Sequence, residues 1–108
     1  MDAGEIIESL NSDTRRFLLI LLHKHKGATM QEILTEFSAT KTLARENVYK
    51  HLEILVESGL LRKEYDAKKK KLNYVLIVES IYFQITDDGI EVAVNGEKSK
   101  NIGDVKYD

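Results

Sequence analysis

The chain has 108 residues, 43% of them hydrophobic, which is enough for one core and predicts a single domain. Its longest nearly unbroken apolar run, Phe17 to Leu22, is far shorter than the roughly 20 residues of a membrane span, and no basic flank and apolar stretch of an export signal opens the chain. The absence of cysteine excludes disulfides, thiolate metal sites and a cysteine nucleophile. We therefore expect a soluble, cytoplasmic protein with no membrane contact.

Charge is unevenly distributed along the chain, although the net value is only -2. Residues 1–40 carry four basic and six acidic side chains, residues 41–74 carry nine and five, and residues 75–108 carry three and seven. The basic excess therefore lies in the middle segment, which includes a run of four lysines. Such a segment favours contact with phosphates, whereas acidic ends discourage contact elsewhere. Taken alone, the lysine run is equally compatible with a solvated loop.

Two helices are predicted in the first quarter of the chain. Apolar residues at helical spacing predict a short amphipathic helix over residues 2–10. A second helix, with a body from Arg15 to Lys26, is apolar on nearly all sides, so we expect it at the centre of the core. Asn11 or Ser12 is placed to cap its start, and Gly27 to end it.

A third and a fourth helix follow, separated by a predicted turn. Thr29 and Glu32 have the spacing of a capping box, which starts the third helix. Residues 38–42 predict a turn, and the fourth helix runs from about Leu43 to Ser58. One face of this helix is polar, and the other carries an apolar stripe at steps of four and three residues, formed by Val48, Leu52 and Leu55.

After Gly59 the pattern changes to that of β-structure. Residues 60–65 and 72–78 are rich in aromatic and β-branched side chains and predict a hairpin with a basic tip. A further strand-like stretch covers Ile81 to Ile85. The residues from Thr86 to about Val94 then predict a last short helix, because acidic side chains suit a first helical turn.

The predicted elements give an α+β fold that is mainly helical. The folded domain is expected over residues 1–95. Residues 96–108 are polar, contain two glycines and lack periodicity, so they predict a flexible tail.

Two helices, a turn, a helix and a hairpin follow one another in a winged helix-turn-helix, and two segments resemble the ArsR-type regulators. Residues 10–19 (LNSDTRRFLL) resemble the opening of that family. Residues 48–61 (VYKHLEILVESGLL) resemble its recognition helix and the exit into the wing. The second match is the more specific, because helix periodicity alone does not demand this spacing of His-Leu, Leu and Gly-Leu-Leu. The resemblance covers roughly residues 6–94, but the segment between Phe37 and Leu43 is longer than the family's tight turn.

The resemblance implies a sequence-specific transcriptional regulator that binds double-stranded DNA. In such proteins the helix after the turn enters the major groove, and the hairpin, called the wing, contacts the backbone. The resemblance also implies a homodimer that pairs through its first and last helices, and a cytoplasmic, nucleoid-associated location. The wing tip lies at residues 66–70, or else residues 81–85 extend the sheet of the wing.

The candidate DNA contacts lie on the fourth helix and on the wing. Arginine and lysine can pair with guanine, asparagine with adenine, and tyrosine or lysine with a phosphate, while Thr42 contacts a phosphate or caps the helix. Lysines on the wing would anchor backbone phosphates. The helix candidates are Thr42, Arg45, Glu46, Asn47, Tyr49 and Lys50, and the wing candidates are Arg62, Lys63, Lys68, Lys69, Lys70 and Lys71.

No metal, cofactor or catalytic group is expected. His23 and His25 point to different sides of a helix, and His51 lies at the edge of the apolar stripe, where a local bond is favoured over a ligand role. The cysteines and late histidines with which relatives sense metals have no counterpart here. Because the chain also lacks a glycine-rich phosphate loop and a recognisable nucleophile, an enzyme is not expected.

Two other functions remain open. A winged helix can also serve as a protein-interaction module in a transcription or other assembly, and Glu46, Glu53 and Glu57 on the fourth helix are compatible with that role. Binding of double-stranded RNA is a third function, less favoured than the other two. A DNA reader predicts steep salt dependence and a basic stripe from Lys50 to Lys71, whereas an interaction module predicts an exposed apolar patch.

Overall fold

The computed structural model describes residues 3–40, 44–95 and 97–98. This part of the chain is an α+β protein with four helices and two small antiparallel sheets. None of these helices is long and apolar enough to span a membrane. The helices are α1 (Ala3–Leu10), α2 (Asp13–His25), α3 (Met30–Thr40) and α4 (Arg45–Glu57). The strands are β1 (Ala28–Thr29), β2 (Leu61–Asp66), β3 (Lys71–Leu76), β4 (Ile81–Thr86), β5 (Gly89–Val94) and β6 (Glu97–Lys98).

Side-chain caps fix the starts of α2 and α3. The Ser12 hydroxyl accepts a hydrogen bond from the Arg15 amide at 3.2 Å. The predicted capping box is confirmed, because the Thr29 amide donates to Glu32 Oε1 at 2.9 Å and the Glu32 amide donates to Thr29 Oγ1 at 3.3 Å. At the end of α2, Lys26 adopts a left-handed conformation with φ of 55° before Gly27.

The core forms where α2 meets α3, α4 and the first sheet. Leu18, Leu21 and Leu22 of α2 are buried, but the expectation that α2 is enclosed on all sides is wrong at Ile20, which is 66% exposed. The predicted apolar stripe of α4 is confirmed, since all three of its residues are fully buried. The buried partners around α2 include Ile33, Phe37, Val48, Leu52, Leu55 and Leu61.

The buried side chain of Arg15 connects α1, α2 and α4. Its guanidinium donates to the carbonyl oxygens of Ser9 at 2.7 Å and Glu8 at 3.0 Å, both in the last turn of α1. A third nitrogen lies 3.1 Å from Nδ1 of His51 on α4. The side chain is only 7% exposed, so these three acceptors replace the water that the charge loses on folding.

The first sheet joins the two ends of the α3–α4 segment. Its order is β1-β3-β2, so β3 pairs with the strand before α3 and with the strand after α4. Gly59, with φ of 84°, ends α4 and turns the chain into β2. The four-residue tip at 67–70 agrees with the first of the two predicted wing boundaries, and Asp66 Oδ1 holds it by accepting from the amides of Lys68 and Lys69.

The predicted last helix is wrong. Residues 86–94 form a turn and strand β5, which pairs with β4 on one side and β6 on the other. Thr86 Oγ1 accepts from the Asp88 amide and donates to the carbonyl of Gly89, whose φ of 144° suits a tight turn. The run from Ile90 to Val94 alternates with period two and is rich in β-branched side chains, which favours a strand over a helix.

Three further predictions are revised or fall outside the described residues. The turn expected at 38–42 is wrong for its first three residues, because α3 continues to Thr40 and takes up the extra length of this segment. Without a last helix in the described chain, the predicted dimer contact through that helix has no structural basis. The predicted tail lies mostly outside the described residues, within which Glu97 and Lys98 pair with β5.

Replacing Arg15 with alanine is expected to lower the free energy of unfolding by about 2–4 kcal/mol, because it leaves two α1 carbonyls and His51 without their donor. The adjacent Arg16 is the matched control, since its side chain is exposed and bonds at the surface to Asp13 and the Leu10 carbonyl. Arg16→Ala should change stability by no more than about 0.5 kcal/mol. Urea unfolding compares the variants, and equal losses would contradict the role of Arg15.

Candidate nucleic-acid interface

A cleft of about 930 Å³ opens between α4, the start of α3 and strand β3. Its α4 wall consists of the first two turns of that helix, and its opposite wall belongs to β3. Five of the residues that the sequence predicted as contacts meet here, namely Arg45, Glu46, Tyr49, Lys50 and Lys71. The remaining walls are formed by Thr29, Met30, Gln31, Leu72 and Tyr74.

The first turn of α4 gives its end of the cleft a positive character. Ala44 caps the helix and has no side-chain acceptor for the free amides of the first turn. Arg45 and Lys50 add two cations that form no ion pair with another described residue. Helix amides and unpaired cations together favour a bound anion such as a phosphate.

Glu46 and Asn47 complete the exposed surface of the first turn. Both side chains are exposed. Val48, which follows them and precedes Tyr49, is buried in the core. Glu46 lines the cleft and Asn47 does not. Thr42, the other candidate on this segment, lies outside the described residues.

The lysine run at the tip of the β2–β3 hairpin is divided by its contacts. Lys69 Nζ lies 3.0 Å from Glu32 Oε1, and Lys71 Nζ donates to Gln31 Oε1 at 2.9 Å, so both reach the start of α3. Lys68 and Lys70 form no ion pair with another described residue. Two of the four predicted phosphate anchors are therefore directed to solvent, and two are directed to the protein.

The two basic candidates on β2 both pair with carboxylates. Arg62 forms a short contact with Glu64 on the same strand. Lys63 Nζ lies 3.0 Å from Glu53 Oε1 on α4, and this carboxylate raises the pKa of the Lys63 ammonium. Neither side chain lines the cleft. Lys63 connects β2 to α4, whereas Arg62 pairs within β2, and both would reach a phosphate only by exchanging partners.

Glu32 is a site residue that the sequence analysis assigned only to helix capping. Its carboxylate accepts from the Thr29 amide and from Lys69, and these contacts lower its pKa from 4.5 to about 2. The capping motif was visible in the sequence, but Lys69 lies 37 positions away and no local pattern links the two. The five additional cleft residues were missed for the same reason, since β1 and β3 meet only in the folded chain.

The three histidines do not meet. His25 Nε2 lies 3.5 Å from Glu36 on the neighbouring helix. His51 contacts Arg15 of α2, which lies 36 positions away along the chain. Burial lowers the pKa of its imidazole, and the Arg15 guanidinium lowers it further. Within the described residues no group of three or more histidine and acidic side chains is arranged to hold a metal ion.

No known protein family, curated protein or solved structure matches this chain.

The lowered pKa of His51 predicts a loss of stability in mild acid. The unfolded chain takes up this proton near pH 6.5, whereas the folded protein resists it until a lower pH. The contribution of His51 is therefore complete above pH 6.5 and is lost as the pH falls through the folded pKa, with a slope of at most about 1.4 kcal/mol per pH unit.

Urea unfolding at pH 7.5, 6.5 and 5.5 measures this slope. In His51→Asn the amide oxygen can still accept from Arg15 but does not titrate, so the slope should decrease. His23→Asn, at an exposed position of α2, is the control and should retain the slope of the native chain. An unchanged slope in His51→Asn would contradict the assignment.

Proposed function

We propose that this protein is a sequence-specific regulator of transcription that binds double-stranded DNA as a winged helix. In this proposal α4 enters the major groove, and the β2–β3 hairpin is the wing that lies along the backbone. The observation that carries the proposal is the cleft, in which exposed cations of α4 and the wing strand lie across one open groove. Lys50 and Lys71 both line it, which supports the basic stripe expected of a DNA reader.

The order and pairing of the elements support the same function. The segment β1-α3-α4-β2-β3, with β3 between β1 and β2, is compatible with the winged-helix arrangement. The interruption between α3 and α4 allows the second of the two helices to project its first turns away from the core. Three consecutive polar or charged side chains, at positions 45–47, are exposed there before the buried Val48, so this turn offers hydrogen-bonding groups.

Distinct roles follow for the exposed side chains. Arg45, Asn47 and Lys50 have the donors that read base edges, and Tyr49 can donate to a phosphate. Lys68 and Lys70 are available as backbone anchors without the loss of an internal ion pair. Glu46 either accepts from a cytosine amino group or rejects a phosphate placed against it, and both effects contribute to discrimination between sequences.

The alternative of a protein-interaction module receives less support at this surface. Three exposed apolar side chains, Tyr82, Phe83 and Ile85, lie together on strand β4 of the second sheet, whereas those of α4 are Tyr49 and Ile54. An interaction module that uses the α4 face would need such a patch there.

The proposal predicts DNA binding that weakens steeply as salt increases. Fluorescence anisotropy with a random-sequence duplex pool at several salt concentrations would measure the slope of log K against log salt. Each lost phosphate contact reduces the slope by about 0.9, so a Lys68→Ala, Lys70→Ala double variant should reduce it by up to about 1.8. Lys50→Ala should weaken binding and, on a selected operator, relax preference at one base pair by about 1–3 kcal/mol.

Lys24→Ala is the matched control, because Lys24 is an exposed lysine on α2, outside the cleft and the hairpin. It should bind as the native chain does. Failure of the native chain to bind duplex DNA at low salt would rule out the proposed function. An effect of Lys24→Ala equal to that of Lys50→Ala would show that binding is not localised to the cleft.

The ion pair between Glu32 and Lys69 predicts a variant with higher affinity. Glu32→Gln retains the side-chain oxygen that caps α3 but removes the charge that competes with phosphate for Lys69. DNA affinity at low salt should therefore rise several-fold, while the unfolding midpoint falls, because the folded chain loses the charged carboxylate that Thr29 and Lys69 stabilise. Adding Lys69→Ala to Glu32→Gln should abolish the gain; a gain that persists in the double variant would contradict this account.

A further inference from the structure

Strand β4 has an open edge and an unusually apolar surface. Tyr82 is 64% exposed, Phe83 48% and Ile85 82%, and the strand contains no charged residue. Within the described residues β4 pairs only with β5, so its other edge leaves main-chain N–H and C=O groups without a strand partner. An uncharged apolar edge of this kind is a template for pairing with another strand.

Strand β2, the other six-residue edge strand of the described chain, provides an internal comparison. In the described chain β2 also pairs with a single neighbour, β3. Its six residues include four charged side chains, at positions 62, 63, 64 and 66. Charges on an edge strand discourage pairing with another chain. This protection is present on β2 and missing on β4, which singles out β4 as the edge that a partner would cover.

The hairpin turn determines which groups face the open edge. Thr86 and Gly89 close a two-residue turn, and the Asn95 amide donates to the Ser80 carbonyl at the other end of the hairpin. Because main-chain direction alternates along a strand, the even-numbered residues of β4 bond to β5. The N–H and C=O groups of Ile81, Phe83 and Ile85 therefore point to the open edge.

We infer that β4 pairs with β4 of a second copy of this chain, antiparallel and around a two-fold axis at Phe83. In this register Phe83 lies opposite the partner's Phe83, and Ile81 lies opposite the partner's Ile85. The main-chain N–H and C=O groups of Ile81, Phe83 and Ile85 in one strand bond to those of the partner strand. The six apolar side chains of these residues all lie on one face of the sheet. Tyr82 and the partner's Gln84 meet on the other face, so no charge is placed against an apolar side chain.

A groove beside β4 provides a second reason for choosing a copy of the same chain. This groove has a volume of about 310 Å³. Its lining is mostly apolar (Leu19, Ile20, Leu76, Val78 and Ile81) and is completed by His23, Glu79 and Ser80. Since Ile81 faces the partner's Ile85 in the proposed register, the exposed isoleucine of each subunit reaches the groove of the other. The contact is thus self-complementary, as a two-fold interface requires.

The exposed area is of the size expected for a reversible dimer. The exposed parts of Ile20, Tyr82, Phe83 and Ile85 amount to on the order of 500 Å² per protomer, and a specific interface buries about 800 Å² on each side. The main chain of the paired strands supplies part of the remainder. The inference does not depend on DNA binding, although two copies related by a two-fold axis would present two α4 helices to two half-sites.

Sedimentation velocity over a hundred-fold range of concentration tests the dimer without DNA. We expect the native chain to dimerise and Ile85→Lys to need at least ten-fold more protein to do so, because the lysine lies at the paired edge. Asp87→Asn changes the charge by the same amount in the exposed turn of the hairpin and should dimerise as the native chain does. Thermal unfolding checks that both variants are folded.

Single cysteines test the register, because the native chain has none. Residues that face each other in a hydrogen-bonded antiparallel pair have Cα atoms about 5.5 Å apart, within the range of a disulfide. Phe83→Cys should therefore oxidise to a covalent dimer, whereas Tyr82→Cys, which is offset from its own copy and on the other face, should not. A monomeric native chain, an Ile85→Lys variant that still dimerises, or cross-linking at position 82 instead of 83 would each overturn the inference. If Ile85→Lys proves unfolded, oxidation of Phe83→Cys and Tyr82→Cys decides whether the chains pair through β4.

Discussion

The arrangement of the helices depends on the hydrogen bonds of one buried cation. Among the described residues Arg15 forms no ion pair with a carboxylate and is satisfied by two carbonyls of α1 and by the imidazole of His51. The carbonyl end of a helix carries partial negative charge, so α1 partly compensates the guanidinium. Because the third acceptor lies on α4, the same buried side chain links α1 and α2 to the helix that forms one wall of the cleft.

Carboxylates of the protein compete with anions from solution for the lysines of the β2–β3 hairpin. Its lysines are close in sequence, yet Lys69 and Lys71 contact α3 while Lys68 and Lys70 face solvent. Alternate residues diverge because the four-residue turn changes the direction of each side chain. Only Lys69 of these four lysines is paired with a carboxylate in the described chain, that of Glu32, since Lys71 bonds the neutral amide of Gln31. Internal carboxylates limit unspecific attraction to polyanions in a chain whose net charge is already negative.

Local patterns predicted the helices well, and long-range pairing explains the failures. The stripe of Val48, Leu52 and Leu55 and the capping box at Thr29 are set by neighbouring residues, so both could be read from the sequence. Strand β1 has two residues and exists only because β3 lies beside it. The last hairpin was mistaken for a helix because acidic residues after Thr86 suit a helix start as well as a turn; the period-two pattern from Ile90 was the available signal. The basic residues of the cleft were found from the sequence, whereas its α3 wall was not.

The central position of β3 has a consequence for the mobility of the hairpin. Asn73 and Tyr74 of β3 are paired both with β1 and with β2, so this part of the strand opens only when two ladders break together. Lys69 and Lys71 fasten the distal end to α3 as well. The hairpin therefore loses its conformational entropy when the chain folds. Binding of a ligand then costs little additional conformational entropy. Such preorganisation favours a partner whose shape already fits the cleft over one that must be deformed to enter it.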